Sequence, residues 1–396
     1  MNLTDAQRAA IAHRGGNLQL IACAGSGKTE VVAQRVAALL SPNPGPALQP
    51  ANIVAFTFTE KAAAELKDRI VARCREQLGE VVGLAEMYVG TIHAFALDLL
   101  KGEVPEYLKY EVLNEVQQHL FVDRHSKESG LTVATDLNGA QLKRYQDTER
   151  YVDALNILRE DDGWDETGLA GNPVLGGLDA YRNLLARKGY LDYSALLDIA
   201  VTRLTNDEEL KARIAERVKH VIVDEYQDVN PIQEALVWLL SELGADLTVV
   251  GDDDQTIYQW RGSAVRNILN FAGHYSNVTT VPLVENFRSS RGVVETAREV
   301  IARNSVRLPK EMQPADAQDD EAGDLVALTF ADPDEEARFI AETCRELRGL
   351  AIREDGGERG ISWSDMAVLL RSVKANGAPV TKALRAAGIP FVVIGM

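Results

Sequence analysis

The residues that most clearly predict chemistry lie between an apolar run and an amphipathic stretch near the start of the chain. The apolar run Leu18–Ala22 is followed by Gly25-Ser26-Gly27 and then by Lys28-Thr29. This pattern is typical of a strand, a loop and a helix whose backbone N–H groups converge on an anion. Lys28 adds a full positive charge, and the Thr29 hydroxyl would face a Mg²⁺ ion shared with the terminal phosphates. The spacing predicts a nucleoside triphosphate site. The alternative is a glycine-rich turn followed by Lys-Thr by coincidence.

Two adjacent carboxylates follow a second apolar run. Asp224 and Glu225 come directly after Val221-Ile222-Val223. At the carboxyl end of a central strand, Asp224 would hold the Mg²⁺ ion, and Glu225 would orient or deprotonate the attacking water. A helix-capping pair of carboxylates is the alternative interpretation. The buried strand before the pair, in a chain that has a phosphate loop, favours the catalytic interpretation.

Polar and aromatic side chains follow the next predicted strand. Gln255 lies shortly after the apolar run that ends at Gly251, where its amide could reach the terminal phosphate. Tyr258, Trp260 and Arg261 come next and form a cluster of aromatic rings with a cation. Exposed aromatic rings suit stacking on unpaired bases, which is worth about 1–3 kcal/mol per base. The alternative is that Trp260 packs in a core.

A guanidinium stands at the end of the strand that follows. Asn286-Phe287-Arg288 places Arg288 at the same predicted sheet edge as the phosphate loop. An arginine there would serve as an arginine finger, a group that typically contributes about 10³–10⁵ in rate. A surface salt bridge is the alternative.

Strand and helix patterns alternate on both sides of a helical region, which predicts an α/β fold with a parallel sheet. The region 101–200 has helical periodicity without a convincing strand and predicts an inserted all-helical subdomain. Residues 306–322 are acidic and contain proline, so they predict a linker. A second parallel α/β unit is expected from residue 323, with strands at Leu325–Phe330, Met366–Arg371 and Phe391–Ile394 and helices at Asp334–Leu347 and Val380–Ala387.

The overall composition limits the class of protein. With 396 residues, of which 46% are hydrophobic, the chain is long enough for two or three domains with large cores. It has no apolar run of membrane-spanning length and no signal-peptide pattern, so we expect a cytoplasmic protein without a membrane partner. The formal net charge of −17 argues against a globally basic nucleic-acid binder, but it leaves room for a locally basic groove. Cys23, Cys74 and Cys344 are too far apart to predict a disulfide framework or a zinc site.

Together the motifs resemble those of the UvrD/Rep/PcrA type of superfamily 1 DNA helicases, over essentially the whole chain. The matching segments are Leu3–Gln7, Ala22–Thr29, Thr57–Ala63, Gly90–Phe95, Leu191–Leu197, Asp224–Asp228, Gly251–Gly262 and Glu285–Ser289. Ala22 stands where a phosphate loop usually has its first glycine, and this family tolerates alanine there. The order and number of the matches make the resemblance specific.

The resemblance implies a domain plan. A P-loop NTPase sheet of the RecA-like kind would occupy residues 1–100 and 201–305, with the helical insertion 101–200 between its halves. Residues 323–396 would form an incomplete second RecA-like domain after the acidic linker 306–322. The insertion corresponds to a DNA-contacting domain of the family, here through local groups such as Lys143, Arg144, Arg182, Arg187 and Lys188.

The resemblance also implies ligands and residue roles. The cofactors would be ATP and Mg²⁺, with Gln7 reading the adenine and Phe287 stacking on it. The phosphates would lie against Ala22, Ala24, Gly25, Ser26 and Gly27, and Lys28, Thr29, Asp224, Glu225, Gln255 and Arg288 would act as argued above. Single-stranded DNA, or a duplex with a single-stranded 3′ tail, would run over Phe58, His93, Tyr258, Trp260 and Arg261.

Three functions stay open at this point. The first is the N-terminal portion of an ATP-dependent 3′-to-5′ DNA translocase or helicase, because the chain stops before the family's motifs V and VI. Such a portion is expected to bind ATP weakly, hydrolyse it poorly and need the missing C-terminal part of the same enzyme for unwinding. The second is a nucleic-acid or partner-binding module with little or no ATP turnover. The third is a phosphate-loop enzyme acting on a small molecule, which predicts no stimulation by DNA.

Overall fold

The computed structural model describes residues 3–42, 47–136, 138–160, 173–256, 264–315, 325–354 and 357–394. The chain divides into two compact units, residues 1–320 and 321–396. Among the described residues, no helix combines the length and the apolar character needed to cross a membrane. The helices are α1 Asp5–Ala12, α2 Lys28–Leu40, α3 Glu60–Leu78, α4 Ile92–Glu103, α5 Glu115–Arg124, α6 Thr148–Glu160, α7 Pro173–Lys188, α8 Tyr193–Asn206, α9 Glu208–Arg217, α10 Pro231–Glu242, α11 Val265–His274, α12 Arg291–Ile301, α13 Pro333–Leu347 and α14 Val373–Ala386. The strands are β1 Asn17–Ala22, β2 Ile53–Phe56, β3 Tyr88–Gly90, β4 Glu111–Val112, β5 Tyr190–Leu191, β6 His220–Val223, β7 Asp246–Gly251, β8 Val278–Leu283, β9 Glu285–Asn286, β10 Gln313–Pro314, β11 Ala351–Glu354 and β12 Gly357–Gly360.

A six-stranded sheet forms the centre of the first unit. Its strand order is β3-β2-β6-β7-β1-β8, and every neighbouring pair runs parallel. The α/β fold class with a central parallel sheet is therefore confirmed. β1, β2 and β6 are buried along their whole length, as expected where helices cover both faces of a parallel sheet. β3 ends at Gly90 because Thr91 caps α4, its hydroxyl accepting a hydrogen bond from Ala94 N at 3.2 Å.

Two apolar layers cover the two faces of this sheet. Side chains alternate between the faces along a strand, so Ile53 and Ala55 of β2 pack with α2 and α3, while Val54 and Phe56 pack with α4 and α8. The layer with α4 and α8 also takes in α10 and α11. Because both faces are covered, the polar groups at the carboxyl edge are held on a rigid support.

The helical insertion has a core of its own, built from α5, α6 and α7 around side chains such as Phe121, Tyr151 and Tyr181. Helix α8 was predicted to belong to the insertion, but its Leu196 and Leu197 pack in the layer with α4 and α10. The insertion therefore ends before α8 and not at residue 200, because the apolar face of α8 covers the sheet. The region also contains a short parallel ladder between β4 and β5, which helical periodicity did not predict.

Part of the predicted acidic linker is packed against the first unit. β10 pairs in parallel with β9, with Gln313 opposite Glu285, and the Lys310 side chain is fully buried. The linker prediction for 306–322 is therefore wrong for residues 307–315, where buried ion pairs and a strand ladder outweigh the local composition. Residues 316–322 lie outside the described ranges.

Among its described residues, the second unit contains the helices α13 and α14 and the paired strands β11 and β12. α13 and α14 pack through side chains such as Ala337, Ala341 and Leu384, and β11 pairs with β12 in antiparallel fashion. The helix predicted from Val380 begins at Val373, because the Ser372 hydroxyl accepts a hydrogen bond from Ala375 N at 3.1 Å and caps it. The strands predicted at 325–330, 366–371 and 391–394 are not formed among the described residues. A strand requires a neighbouring ladder for its backbone groups, and sequence periodicity cannot supply one.

Candidate functional site

The predicted phosphate loop joins β1 to α2 at the carboxyl edge of the sheet, with Ala22 as the buried last residue of β1. Gly25 and Gly27 have φ angles of +68° and +78°, a left-handed backbone that glycine adopts without steric cost. Gly27 is the N-cap of α2, and the first turn of α2 begins at Lys28. The backbone N–H groups of that turn have no partner within the helix, and they lie beside the loop. The Ser26 hydroxyl is buried and has no hydrogen-bond partner among the described residues. A buried donor without a partner, next to a helix N-terminus, fits a bound phosphate.

Asn286, at the end of β9, fixes this loop. Its Nδ2 donates to the Ala24 carbonyl at 2.9 Å, and the Phe287 N–H donates to the Gly25 carbonyl at 3.0 Å. A Cβ added at Gly25 would lie 2.8 Å from the Asn286 side chain. Glycine is therefore required at this position for space as well as for φ. Asn286 lies in a motif recognised from the sequence, but the sequence alone predicted no role for its side chain.

Lys28 and Glu225 meet across the site. The Lys28 ammonium donates to Glu225 Oε1 at 3.0 Å and to Oε2 at 2.7 Å. Glu225 has a left-handed backbone with φ of +51°, which is uncommon for a residue other than glycine and is found preferentially at functional sites. The fold thus brings the phosphate-loop lysine together with the predicted general base, while their catalytic roles stay predictions.

Two more carboxylates lie beside this pair. Burial and then the charge of Glu225 raise the pKa of Asp224 to about 6, and Lys28 offsets part of that rise. Burial and Glu225 likewise raise the pKa of Asp228 to about 6, and Asp228 Oδ1 is buried without a hydrogen-bond partner among the described residues. The site carries more negative charge than Lys28 neutralises, which favours a divalent cation.

The described residues contain no group of three His, Cys, Asp or Glu side chains that could hold a metal ion by themselves. This agrees with the usual coordination of Mg²⁺, which takes one or two protein ligands together with substrate phosphates and water. Asp224 follows β6, and Thr29 lies in the first turn of α2. A carboxylate and a hydroxyl at these two element ends are the donor types that Mg²⁺ prefers.

Gln227 joins the acidic ends of two strands, a role that sequence analysis missed. Its Nε2 donates to Glu225 Oε2 at 2.8 Å, and its Oε1 accepts from Asp252 N at 3.0 Å. A Cβ added at Gly251 would lie 2.6 Å from Gln227 Oε1, so only glycine permits this approach. The one available signal was the position of Gln227 inside the motif that begins with Asp224.

Gln255 lies at the same edge, but its side chain contacts a carboxylate. The Gln255 amide donates to Asp252 Oδ2, and the residue is otherwise exposed. The predicted contact with the terminal phosphate would require this hydrogen bond to be exchanged for one to the phosphate. Its role at the phosphate stays a prediction.

The predicted adenine-side residues surround the phosphate loop. Gln7 is buried, its Nε2 donates to the Ser26 carbonyl at 3.0 Å, and its Oε1 accepts from Thr4 N at 2.9 Å. A glutamine amide has a second N–H, which leaves one donor for a base edge. Phe287 and Arg288 are both exposed just beyond β9.

Three aromatic side chains, Phe58, His93 and Tyr193, form what we call the aromatic edge. Phe58 follows β2 and His93 follows β3, two neighbouring parallel strands. The His93 ring meets Tyr193 edge to face at 5.7 Å, and Phe58 and Tyr193 are 38% and 48% exposed. Burial lowers the pKa of His93 to about 4, so the ring is neutral at pH 7. The predicted DNA-contacting residues Tyr258, Trp260 and Arg261 lie outside the described residues.

The basic groups of the insertion are exposed, and two of them pair with carboxylates. Arg182 contacts Asp198 at 2.8 Å, and Arg187 contacts Glu128 at 3.3 Å. Exposed pairs of this kind exchange readily, so both arginines can take an incoming phosphate instead.

Sequence models of two protein families match the chain. The model of the UvrD/REP helicase N-terminal domain matches residues 3–276, and that of the UvrD-like helicase C-terminal domain matches residues 281–396. The ATP-dependent DNA helicase UvrD1 of Mycobacterium tuberculosis is 33% identical over 412 residues, which are 99% of this chain and 50% of that protein.

Two further relatives give the same coverage. DNA helicase II of Escherichia coli is 32% identical over 408 residues, which are 100% of this chain and 51% of that protein. The ATP-dependent DNA helicase PcrA of Leuconostoc citreum is 30% identical over 404 residues, which are 99% of this chain and 50% of that protein. The chain thus spans about half the length of the curated relatives that it matches.

Proposed function

Because the chain belongs to the UvrD/REP helicase family, we propose that it binds ATP and couples ATP hydrolysis to movement along single-stranded DNA. The observation that carries this proposal is the contact of Lys28 with Glu225, which joins the phosphate loop to the acidic end of β6. Relatives whose names describe ATP-dependent DNA helicases support it.

Nucleotide binding in this proposal uses groups in and around the phosphate loop. The Ser26 hydroxyl and the first-turn N–H groups of α2 hold phosphate oxygens, and Lys28 exchanges Glu225 for the terminal phosphates. Thr29 and Asp224 would hold Mg²⁺, which when bound neutralises charge that develops on the phosphates. Gln7 and Phe287 take the adenine.

Hydrolysis in this proposal depends on the release of Glu225. Once Lys28 has moved to phosphate, the Glu225 carboxylate is free to accept a proton from the attacking water, and Gln227 holds its Oε2 at 2.8 Å. Arg288, exposed at the end of β9, stabilises charge on the transferring phosphoryl group. Gln255 couples the phosphate state to the predicted DNA-contacting residues that follow it in the sequence.

The proposed DNA path follows the aromatic edge. In the strand order β3-β2-β6-β7-β1-β8, the aromatic edge stands at β3 and β2, and the nucleotide groups stand at β6, β7 and β1. The two sites therefore adjoin at the β2–β6 pair. A neutral His93 and an exposed Phe58 suit base stacking. We propose single-stranded DNA, or a duplex with a single-stranded 3′ tail, as the substrate and 3′-to-5′ as the direction of movement.

A second candidate function is a nucleic-acid-binding or partner-binding module without turnover. The observation in its favour is that both Glu225 oxygens already engage Lys28. An ion pair of this kind competes with phosphate for the lysine and would hold the site in a resting state.

The deciding experiment is ATP hydrolysis by this chain with and without single-stranded DNA, in the wild type and in Lys28→Ala. Lys211→Ala, which removes a lysine that pairs with Glu208 on the surface of α9, is the matched control. The proposal predicts DNA-stimulated turnover that is lost in Lys28→Ala and kept in Lys211→Ala. DNA binding without hydrolysis would favour the binding module, and hydrolysis indifferent to DNA would favour an enzyme acting on a small molecule.

A further inference from the structure

A buried lysine contacts three consecutive carboxylates that follow β7. Lys310 Nζ lies 2.6 Å from Asp252 Oδ1 and 3.4 Å from Asp254 Oδ2, and it also contacts Asp253 Oδ1. The Lys310 side chain is fully buried. We call these four residues the Lys310 cluster. Three donors on one ammonium match three carboxylates, which would otherwise repel one another within a single turn.

The neighbouring carboxylates favour the protonated form of Lys310. Burial by itself lowers the pKa of Lys310, but the charges of Asp252 and Asp253 and their hydrogen bonds outweigh burial and raise it. Lys310 therefore stays protonated at neutral pH. A neutral side chain at position 310 would leave buried carboxylates without a cation, which is a costly arrangement.

The segment that carries Lys310 is fastened to the same sheet edge. Arg307 contacts both oxygens of Asp254, at 2.9 and 2.6 Å, and Leu308 N donates to Asp253 Oδ2 at 2.7 Å. Further along, Ala315 N donates to the Asn286 carbonyl at 3.0 Å. These contacts hold residues 307–315 beside both the aspartates and the strand end that fixes the phosphate loop.

A chain of hydrogen bonds leads from Lys310 to the candidate general base. Lys310 fixes the Asp252 carboxylate, and Asp252 N donates to Gln227 Oε1 at 3.0 Å. The amide of Gln227 donates in turn to Glu225 Oε2 at 2.8 Å. The second oxygen of Asp252 accepts from Gln255. Lys310 thus sets the position of one residue on which both Gln227 and Gln255 depend.

We propose that Lys310 is a positioning residue for ATP hydrolysis, which holds Asp252 so that Gln227 keeps Glu225 oriented toward the attacking water. This inference rests on the proposed function, because it assigns Lys310 to the same reaction. Lys310 touches none of the reacting atoms. Its effect reaches the base through Asp252 and Gln227.

The test compares Lys310→Met with Arg307→Met, both in the full 396-residue chain. Arg307 contacts the Asp254 carboxylate, which is not a link between Asp252 and Gln227, although the Asp254 N–H donates to Asp252 Oδ1 at 3.2 Å. Arg307→Met is therefore the matched control. Lys310→Met is expected to lower the kcat of DNA-stimulated ATP hydrolysis about 10- to 100-fold with little change in KM, because a small misplacement of a catalytic group has an effect of this size. Arg307→Met is expected to change kcat less than about 3-fold.

A double variant separates positioning from charge balance. Lys310→Met/Asp253→Asn removes one of the carboxylates that Lys310 contacts and leaves Asp252 without the Lys310 ammonium. Positioning predicts that the double variant regains resistance to urea while kcat stays low. Recovery of kcat in the double variant, or an unchanged kcat in Lys310→Met, would overturn the inference.

Hydrogen exchange gives a measurement that does not depend on turnover. The Asp252 amide donates to Gln227, so peptides covering residues 247–255 are expected to exchange faster in Lys310→Met and unchanged in Arg307→Met. Equal protection in both variants contradicts the inference. If the wild type hydrolyses no ATP, the hydrolysis part of the proposed function fails. The exchange comparison alone then decides whether Lys310 positions Asp252 and the residues around it.

Discussion

The junction between the insertion and the sheet and the candidate nucleotide site both contain buried ions, but their charges are balanced differently. At the junction, Arg159 contacts the two oxygens of Asp192 at 2.7 and 2.9 Å, and both side chains are buried. Asp192 also accepts hydrogen bonds from Tyr181 and Gln118, each at 2.8 Å. At the candidate nucleotide site, by contrast, Lys28 offsets only part of the rise that burial and Glu225 cause in the pKa of Asp224 and Asp228.

The pKa of Asp192 at the junction and the pKa of Asp224 at the candidate nucleotide site shift in opposite directions. Burial raises the pKa of Asp192, but the charge and hydrogen bonds of Arg159 outweigh burial, and the net shift is downward. The pKa of Asp224 is raised to about 6 by burial and by the neighbouring Glu225. The ion pair of Arg159 and Asp192 joins α6 to the start of α8, whereas Lys28 offsets only part of the negative charge of Asp224, Glu225 and Asp228, which fits the cation and phosphates of the proposed function.

The largest effect is expected from breaking the matched pair. Arg159→Met leaves Asp192 charged and buried without its partner, which should lower the free energy of unfolding by about 3–5 kcal/mol. Urea denaturation measures this loss. Arg159→Met/Asp192→Asn should lose less than the single variant, because the uncompensated charge is gone. A single variant as stable as the wild type would show that the pair does not fix the junction.

At the candidate nucleotide site, removal of a charge should lower activity without lowering stability. Glu225→Gln removes the proposed base and should lower kcat for ATP hydrolysis about 100-fold or more, or roughly 2.7 kcal/mol. Because it also relieves repulsion with Asp224 and Asp228, resistance to urea should not fall. Glu216→Gln on the exposed face of α9 is the control for a lost surface carboxylate. A loss of stability as large as that of Arg159→Met would contradict the distinction between the regions.

Much of the geometry of the candidate nucleotide site was predictable because it is encoded locally. Apolar runs that end in Gly25-Ser26-Gly27, in Asp224 and in Asp252 predicted strands, and parallel strands bring their carboxyl ends to one edge. The contact of Lys28 with Glu225 follows from that geometry. The Gln227 bridge depends on side-chain placement within a turn, which spacing alone does not specify.

The rest required contacts between segments that are distant in sequence. Lys310 lies in a stretch whose local composition predicts an exposed linker, yet its partners are aspartates far earlier in the chain. The apolar face of α8 is equally compatible with the insertion core and with the sheet, and only packing against α4 and α10 decides between them. In the second unit, alternating apolar residues predicted strands, but strand formation depends on a paired neighbour.

His220 is a third kind of buried titratable group, because the fold keeps it uncharged, unlike the ion pair at the junction and the carboxylates at the candidate nucleotide site. Burial and then the charge of Arg35 lower the pKa of His220 well below its ordinary value of 6.5. Thr248 Oγ1 accepts a hydrogen bond from Arg35 Nε and lies 2.9 Å from His220 Nε2. The Thr248 hydroxyl can therefore donate a hydrogen bond to the unprotonated Nε2 of a neutral His220 ring. Protonation of this ring therefore favours the unfolded chain.

Stability should consequently fall as the pH drops below 6.5. In that range the unfolded histidine binds a proton and the folded one does not, so the slope for this one group approaches about 1.4 kcal/mol per pH unit. Urea midpoints at several pH values between neutrality and mild acid measure it. His220→Gln should flatten the profile, and an identical slope in the variant would assign the acid sensitivity to other groups.

The smallest effect is expected from a second Arg–Asp pair next to the junction, which differs from the first in burial. Arg182 of α7 contacts Asp198 of α8 at 2.8 Å, the same kind of distance as in the Arg159 pair, but the two side chains are 44% and 29% exposed. Water solvates both charges when the pair is broken, so Arg182→Met should change the free energy of unfolding by only about 0–1 kcal/mol. Because residue types, location and replacement match, the difference between Arg182→Met and Arg159→Met in urea measures the effect of burial. A similar loss in both variants would mean that pairing rather than burial sets the strength of the junction.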